Sequence, residues 1–148
     1  MPAETLRACL DVLSQNGVTP VCVSRFYRTP AWPDPNDPPF VNAVAQVDST
    51  LDPRALMAAL ERTETLFGRV RSARNAPRPL DLDLIDYDGL VQDGPLFLPH
   101  PRTETRAFVL IPLADVAPQW RHPVTGQTVS SLIAALPAAE RMAVQPLA

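Results

Sequence analysis

Apolar residues open the chain at three- and four-residue steps. Leu6, Cys9, Leu10 and Leu13 share one side of a 3.6-residue period, which predicts an amphipathic helix over 3–15. Asn16-Gly17 supplies its stop. The pattern then changes. "VTPVCVSRFY", 18–27, is short and rich in β-branched residues, so a strand is expected. "FVNAVAQVDS", 40–49, alternates: Phe40, Asn42, Val44 and Gln46 take one face, and Val41, Ala43, Ala45 and Val47 the other. The small apolar face is expected to pack on helices. The face opened by Phe40 and Asn42 is mixed and suits a site. Between these strands, five prolines in "RTPAWPDPNDPP", 28–39, remove donors and fix φ, which leaves a loop.

Asp52-Pro53 marks the next helix, a cap followed by proline at the first helical position. It is expected to run to about Phe67 and end at Gly68, with Leu56, Leu60, Thr63 and Phe67 inward. "PLDLDLIDYDG", 79–89, reads as a strand ending in an Asp-Gly turn. Leu80, Leu82 and Leu84 face the core, and Asp81 and Asp83 face away, ~7 Å apart. Residues 103–118 read as helical pieces broken at Pro112, 122–129 as a turn or small hairpin, and 130–136 as a last helix. This order predicts an α+β fold with one sheet covered on one face, in a single domain over 1–148.

Charge narrows the function classes. The net charge of −3 argues against a general binder of nucleic acid or anionic membrane. A basic cluster inside such a chain points instead to a small anionic ligand. Cys9 and Cys22 form no Cys-x-x-Cys pair and the chain has 2 histidines, which argues against a Cys/His zinc site. Both thiols are expected to be buried and free. With no signal peptide, lipidation motif or bilayer-length apolar run, the cytoplasm is the expected compartment. Prolines number 18, many in 30–39 and 95–101, and long loops in small domains commonly carry function.

The chemistry concentrates in "GRVRSARNAPRPLDLDLIDYDG", 68–89. Asp81 and Asp83 repel each other on one face unless a cation or an arginine partners them. Mg²⁺ suits them, because it takes carboxylate oxygens and leaves positions open for phosphate. Arg69, Arg71, Arg74 and Arg78 then read as forked clamps on phosphate oxygens. A solvated sheet face and a solvated basic loop account for the same residues, and spacing alone leaves both readings open.

Five motifs carry a resemblance. They are Glu64-x4-Arg69-x-Arg71, "PRPLDLDL" (77–84), "LPHPRTETRAFVLIPLADVAP" (98–118), "SRFYRTP" (24–30) and "FVNAV" (40–44). Together they cover essentially the whole chain and resemble the 6-hydroxymethyl-7,8-dihydropterin pyrophosphokinase family of folate biosynthesis. The resemblance implies a ferredoxin-like antiparallel sheet with helices. It implies transfer of the β,γ-pyrophosphoryl group of ATP to the pterin's hydroxymethyl oxygen, with two Mg²⁺ ions. It assigns Asp81 and Asp83 to metal, and Arg69, Arg71 and Arg78 to the phosphates. Glu64, His100 and Arg106 fall to the nucleotide. Phe40 and Phe108 would sandwich the pterin, Asn42 would bond its polar edge, and the backbone of Thr29 and Pro30 would complete the pocket. The partners are ATP and the pterin, with no nucleic acid, no membrane and a monomeric chain. Loops 28–39 and 69–78 are expected to close and exclude water.

The bland readings are core packing for Phe40 and Phe108, a strand-end polar group for Asn42, a loop hydrogen bond for His100, and exposed helix charges for Glu64 and Arg106. The chain also departs from the family pattern. "SARNAP" replaces a longer, tryptophan-bearing loop, and the first helix follows Met1 without the family's first strand and Gly-rich turn. That strand would lie between those of Asn42 and the aspartates. The expectation is therefore that Met1 is an internal methionine or the chain is truncated, and "AVQPLA" at 143–148 is a candidate extra strand. The alternatives are a truncated or inactive relative that binds without turnover, and another Mg²⁺-nucleotide transferase.

Overall fold

A computed structural model of the chain describes residues 2–31, 34–68 and 80–147. Packing divides it into two units, Met1–Pro20 with Val47–Leu84, and Val21–Gln46 with Ile85–Ala148. Elements are helices and small antiparallel sheets, an α+β architecture.

The first unit rests on two helices, α1 (Pro2–Gln15) and α2 (Pro53–Leu66), packed on each other. Cys9 and Leu13 of α1 are buried, with Leu6 and Leu10 half-buried beside them on the predicted stripe. Gly17 ends this helix at φ +84°, a left-handed conformation that a Cβ would strain. Asp52 caps α2 by accepting from the Ala55 N–H at 2.8 Å, worth about 1 kcal/mol. Leu56, Ala59, Leu60 and Thr63 turn inward as their spacing requires, together with Glu64.

Residues 80–84 show the expected alternation, with Leu80 buried, Leu82 and Leu84 half-buried, and Asp81 and Asp83 exposed. The Asp-Gly turn is present, with Asp88 and Gly89 both at positive φ. The predicted strand is not. Extended backbone becomes a strand only when a neighbour supplies a ladder, and here its groups go elsewhere. Leu82 donates to a side chain, and the Ile85 carbonyl accepts from the His100 N–H at 2.9 Å.

Strand β1 (Thr19–Val23) pairs with β4 (Ala45–Asp48), and β2 (Tyr27–Thr29) pairs antiparallel with β3 (Phe40–Asn42). The two long strands predicted over 18–27 and 40–49 are thus each interrupted. The register gives the reason. Tyr27 stands opposite Asn42, while the Ser24 N–H reaches the Val44 carbonyl at 2.9 Å. Arg25 and Phe26 therefore oppose Ala43 alone, which is a bulge. The Ser24 hydroxyl takes the Val44 N–H at 2.9 Å in place of a ladder bond. Arg28 and Thr29, expected in the following loop, belong to β2. Cys22, expected to be buried, is exposed, because β1 turns most of its residues to solvent.

A hairpin, three helices and a last strand complete the second unit. Strands β5 (Gln92–Asp93) and β6 (Phe97–Leu98) form a hairpin that the proline-rich loop concealed. Helix α3 (Ala107–Val116) follows a 3₁₀ turn over Thr103–Thr105, and runs through Pro112 without the expected break. The proline forfeits one helical bond, yet it is buried beside Val109, Leu110 and Leu113, whose burial outweighs that loss of about 3 kcal/mol. Helices α4 (Val129–Ala135) and α5 (Ala138–Met142) lead to β7 (Gln145–Pro146). The "AVQPLA" segment therefore does supply a strand. It pairs with β2 on the edge opposite β3, away from the gap expected beside the Asn42 strand.

Tyr27, Leu110, Leu113, Val129, Leu132 and Val144 form the core of this unit. Removing residues 144–148 would strip Val144 from that core and leave one edge of β2 unpaired. The expected cost is ~2–3 kcal/mol, read as a lower urea midpoint. An unchanged midpoint would contradict the role given to β7.

Candidate functional site

Glu64 is the most informative residue of the first unit. It lies one turn beyond Leu60 on the buried face of α2 and is 4% exposed. Its Oε2 accepts the Leu82 N–H at 2.7 Å, a charge-assisted bond. The bland reading as an exposed helix charge is thereby corrected. Burial of a carboxylate is costly unless it is partnered, and its partner here is the backbone between Asp81 and Asp83. Holding Leu82 inward leaves the two aspartates on the outward side of the same extended segment. The Cys9 thiol is pushed up to about 11 by burial and then by the charge of Glu64.

An outward pair of carboxylates suits a hard divalent cation, which takes one or two protein carboxylates and completes its shell with phosphate and water. Among the described residues, no group of three or more His, Cys, Asp or Glu is placed to hold a metal. Two outward carboxylates fit an ion brought with a polyphosphate. Arg69, Arg71 and Arg78, expected on the phosphates, lie outside the described residues, as does Arg74.

The second unit holds the other candidates. Thr29 stands opposite Phe40 in the β2–β3 ladder and Tyr27 opposite Asn42, so all four side chains share one face. Asn42 Nδ2 donates to the buried Thr29 Oγ1 at 3.0 Å. Phe40 is 45% exposed and Phe108, in the first turn of α3, is 37% exposed, so neither is the core residue of its bland reading. Pro30 is exposed at the end of β2.

Arg106 caps α3, and its guanidinium carbon lies 5.4 Å from the Phe108 ring centroid. His100 is half-buried, and its carbonyl accepts the Thr103 hydroxyl at 2.8 Å. Helix α3 packs against both β2 and β3. The described contacts thus join Thr29 to Asn42 and Arg106 to Phe108, and put Phe40 on the face of Thr29 and Asn42.

Two arrangements escaped the sequence. Tyr27 is 1% exposed and donates its hydroxyl to Asp115 Oδ2 at 2.6 Å. His122 is buried, with Nδ1 accepting the N–H groups of Val124 and Thr125 and Nε2 lying 3.4 Å from Glu104. The histidine ties a turn and is remote in role from the candidates above. Neither pairing has a sequence signal, because the partners lie far apart or in irregular backbone.

The family model for 7,8-dihydro-6-hydroxymethylpterin-pyrophosphokinase matches residues 1–118. Relatives named 2-amino-4-hydroxy-6-hydroxymethyldihydropteridine pyrophosphokinase include those of three organisms. That of Methylorubrum extorquens is 40% identical over 121 residues, 81% of this chain and 75% of that protein. That of Pseudomonas aeruginosa is 41% identical over 138 residues, 92% and 85% of the two chains. That of Haemophilus influenzae is 38% identical over 118 residues, 78% and 74% of the two chains.

Glu64→Ala removes the acceptor of the part-buried Leu82 N–H and opens a cavity, and is expected to cost ~2–4 kcal/mol. Glu64→Gln keeps an acceptor oxygen and is expected to cost less. Chemical denaturation of both variants checks this, and equal midpoints would contradict it. Iodoacetamide at pH 8 is expected to label Cys22 and spare Cys9 in the folded chain, read by peptide mass mapping.

Proposed function

The chain belongs to the 7,8-dihydro-6-hydroxymethylpterin-pyrophosphokinase family, and from that premise we propose how its residues divide the work. It is an ATP-dependent pyrophosphokinase of folate biosynthesis. It transfers the pyrophosphoryl group of ATP to 6-hydroxymethyl-7,8-dihydropterin and releases AMP. The finer roles are our reading. Asp81 and Asp83 hold two Mg²⁺ ions against the ATP phosphates, with Arg69, Arg71 and Arg78 as clamps on phosphate oxygens. Bound Mg²⁺ supplies charge neutralisation on the polyphosphate. Glu64 acts through the Leu82 backbone and keeps both aspartates turned outward.

Phe40 and Phe108 stack on the pterin, Asn42 bonds its polar edge, and the backbone of Thr29 and Pro30 closes the pocket. His100 and Arg106 contact the nucleotide. Positioning and electrostatics carry most of the rate, since the reaction asks little covalent work of the protein. The ferredoxin-like sheet belongs to this proposal, supported by small antiparallel sheets accompanied by helices. So do a monomeric state and a cytoplasmic site of action. Among the described residues, no helix is long and apolar enough to cross a membrane.

One observation carries the reading: the Leu82 N–H bond to buried Glu64, which gives an exposed like-charged pair a fixed backbone. Asp81→Ala and Asp83→Ala are each expected to lower Mg²⁺-dependent AMP release by ~100-fold or more while the chain stays folded. A coupled assay for AMP and a thermal melt check both halves. Normal turnover in either variant would remove that residue from the metal site.

A further inference from the structure

The Tyr27–Asp115 contact lies outside every role assigned above. Asp115 Oδ2 accepts from the Tyr27 hydroxyl at 2.6 Å and from the Arg25 N–H at 3.2 Å. The Arg25 side chain also reaches it at 3.5 Å, but that guanidinium is largely exposed and the ion pair adds little. Tyr27 is fully buried, and burial pushes its phenol up, so it stays a protonated donor at neutral pH. Its ring packs into the core of the second unit.

The surroundings of this contact are specific. Arg25 and Phe26 form the bulge opposite Ala43, and a bulge frees backbone groups from the ladder. Asp115 takes the Arg25 N–H, and the Leu147 N–H takes the Phe26 carbonyl at 2.9 Å. On α3, Asp115 stands seven residues after Phe108, two turns on, so both project from one side about 10 Å apart along the axis. In the sheet, Tyr27 stands opposite Asn42, and the next pair on the same face is Thr29 with Phe40.

We propose that Tyr27 and Asp115 are positioning residues for the pterin pocket: their hydrogen bond sets the placement of α3, which carries Phe108, over the β2–β3 ladder, which carries Thr29, Phe40 and Asn42. The proposal rests on the pocket reading given above. The helix is anchored at its far end by one short bond into the bulge, and at its near end it presents Phe108. Loss of the bond lets α3 shift over the ladder and spoils the fit to a planar ligand, while the metal–phosphate residues are untouched. Tyr27→Phe deletes only the hydroxyl and keeps the buried ring. Asp115→Ala deletes the acceptor, and Asp115→Asn keeps an acceptor oxygen.

Steady-state kinetics in both substrates, with a urea midpoint for each variant, tests this. Tyr27→Phe and Asp115→Ala are each expected to raise the pterin KM about tenfold and the ATP KM by a clearly smaller factor, through Arg106 at the start of α3. The double variant should be no worse than the poorer single, because both remove one interaction. Asp115→Asn should lie nearer the wild type. A lowered urea midpoint with an unchanged pterin KM overturns the proposal, as does a proportional loss in both substrates. Phe40→Ala separates the two layers of the argument. If it raises the pterin KM while Tyr27→Phe does not, this inference alone fails. If it leaves the pterin KM unchanged, the pocket reading fails and takes this inference with it.

Discussion

A buried carboxylate has to find donors, and Glu64 finds one in the backbone of the segment it faces. The 2.7 Å bond to the Leu82 N–H fixes which side of residues 80–84 turns inward. Leucine burial pulls the same way at Leu80 and Leu82. Slipping the segment by one residue would bury Asp81 or Asp83 and expose a leucine, at a cost of several kcal/mol. The exposed carboxylate pair therefore follows from an apolar preference and one buried charge, without a sheet ladder to impose it.

The second unit solves a different problem by related means. Its ladder is broken by the Arg25–Phe26 bulge, and side chains and the chain's last strand supply what the bulge removes. The Ser24 hydroxyl, the Asp115 carboxylate and the Leu147 N–H each take a backbone group there. The result is a short, well-partnered β2 whose face presents Thr29 beside Asn42 and Phe40. The Thr29 hydroxyl accepts from the Asn42 amide and so settles its orientation.

Much of this was legible along the chain. Asp52-Pro53, Gly17 and the Leu-Asp alternation over 80–84 are local signals whose causes lie within a few residues, and each appears as expected. What escaped depends on distant partners. The break at residues 24–26 needs Asp115 and Leu147, some ninety or more positions away, to absorb the freed groups. Residues 80–86 look like a strand by composition, but no composition states who supplies the ladder. Pro112 predicts a break because the local cost is real, and burial outweighs it. For Glu64 the resemblance implies a place at the nucleotide, and charge alone makes an exposed helix position the bland alternative. Its place one turn beyond Leu60 on the apolar stripe was the available signal, and its partner at Leu82 was not.

Pyrophosphoryl transfer differs from phosphoryl transfer in which P–O bond of ATP is broken. The direct measurement is ³¹P NMR of this chain with ATP, Mg²⁺ and 6-hydroxymethyl-7,8-dihydropterin. Pyrophosphoryl transfer predicts AMP and a pterin diphosphate appearing together, dependent on both Mg²⁺ and the pterin, with no orthophosphate. ADP with orthophosphate, or ATP left intact beside bound pterin, would contradict it.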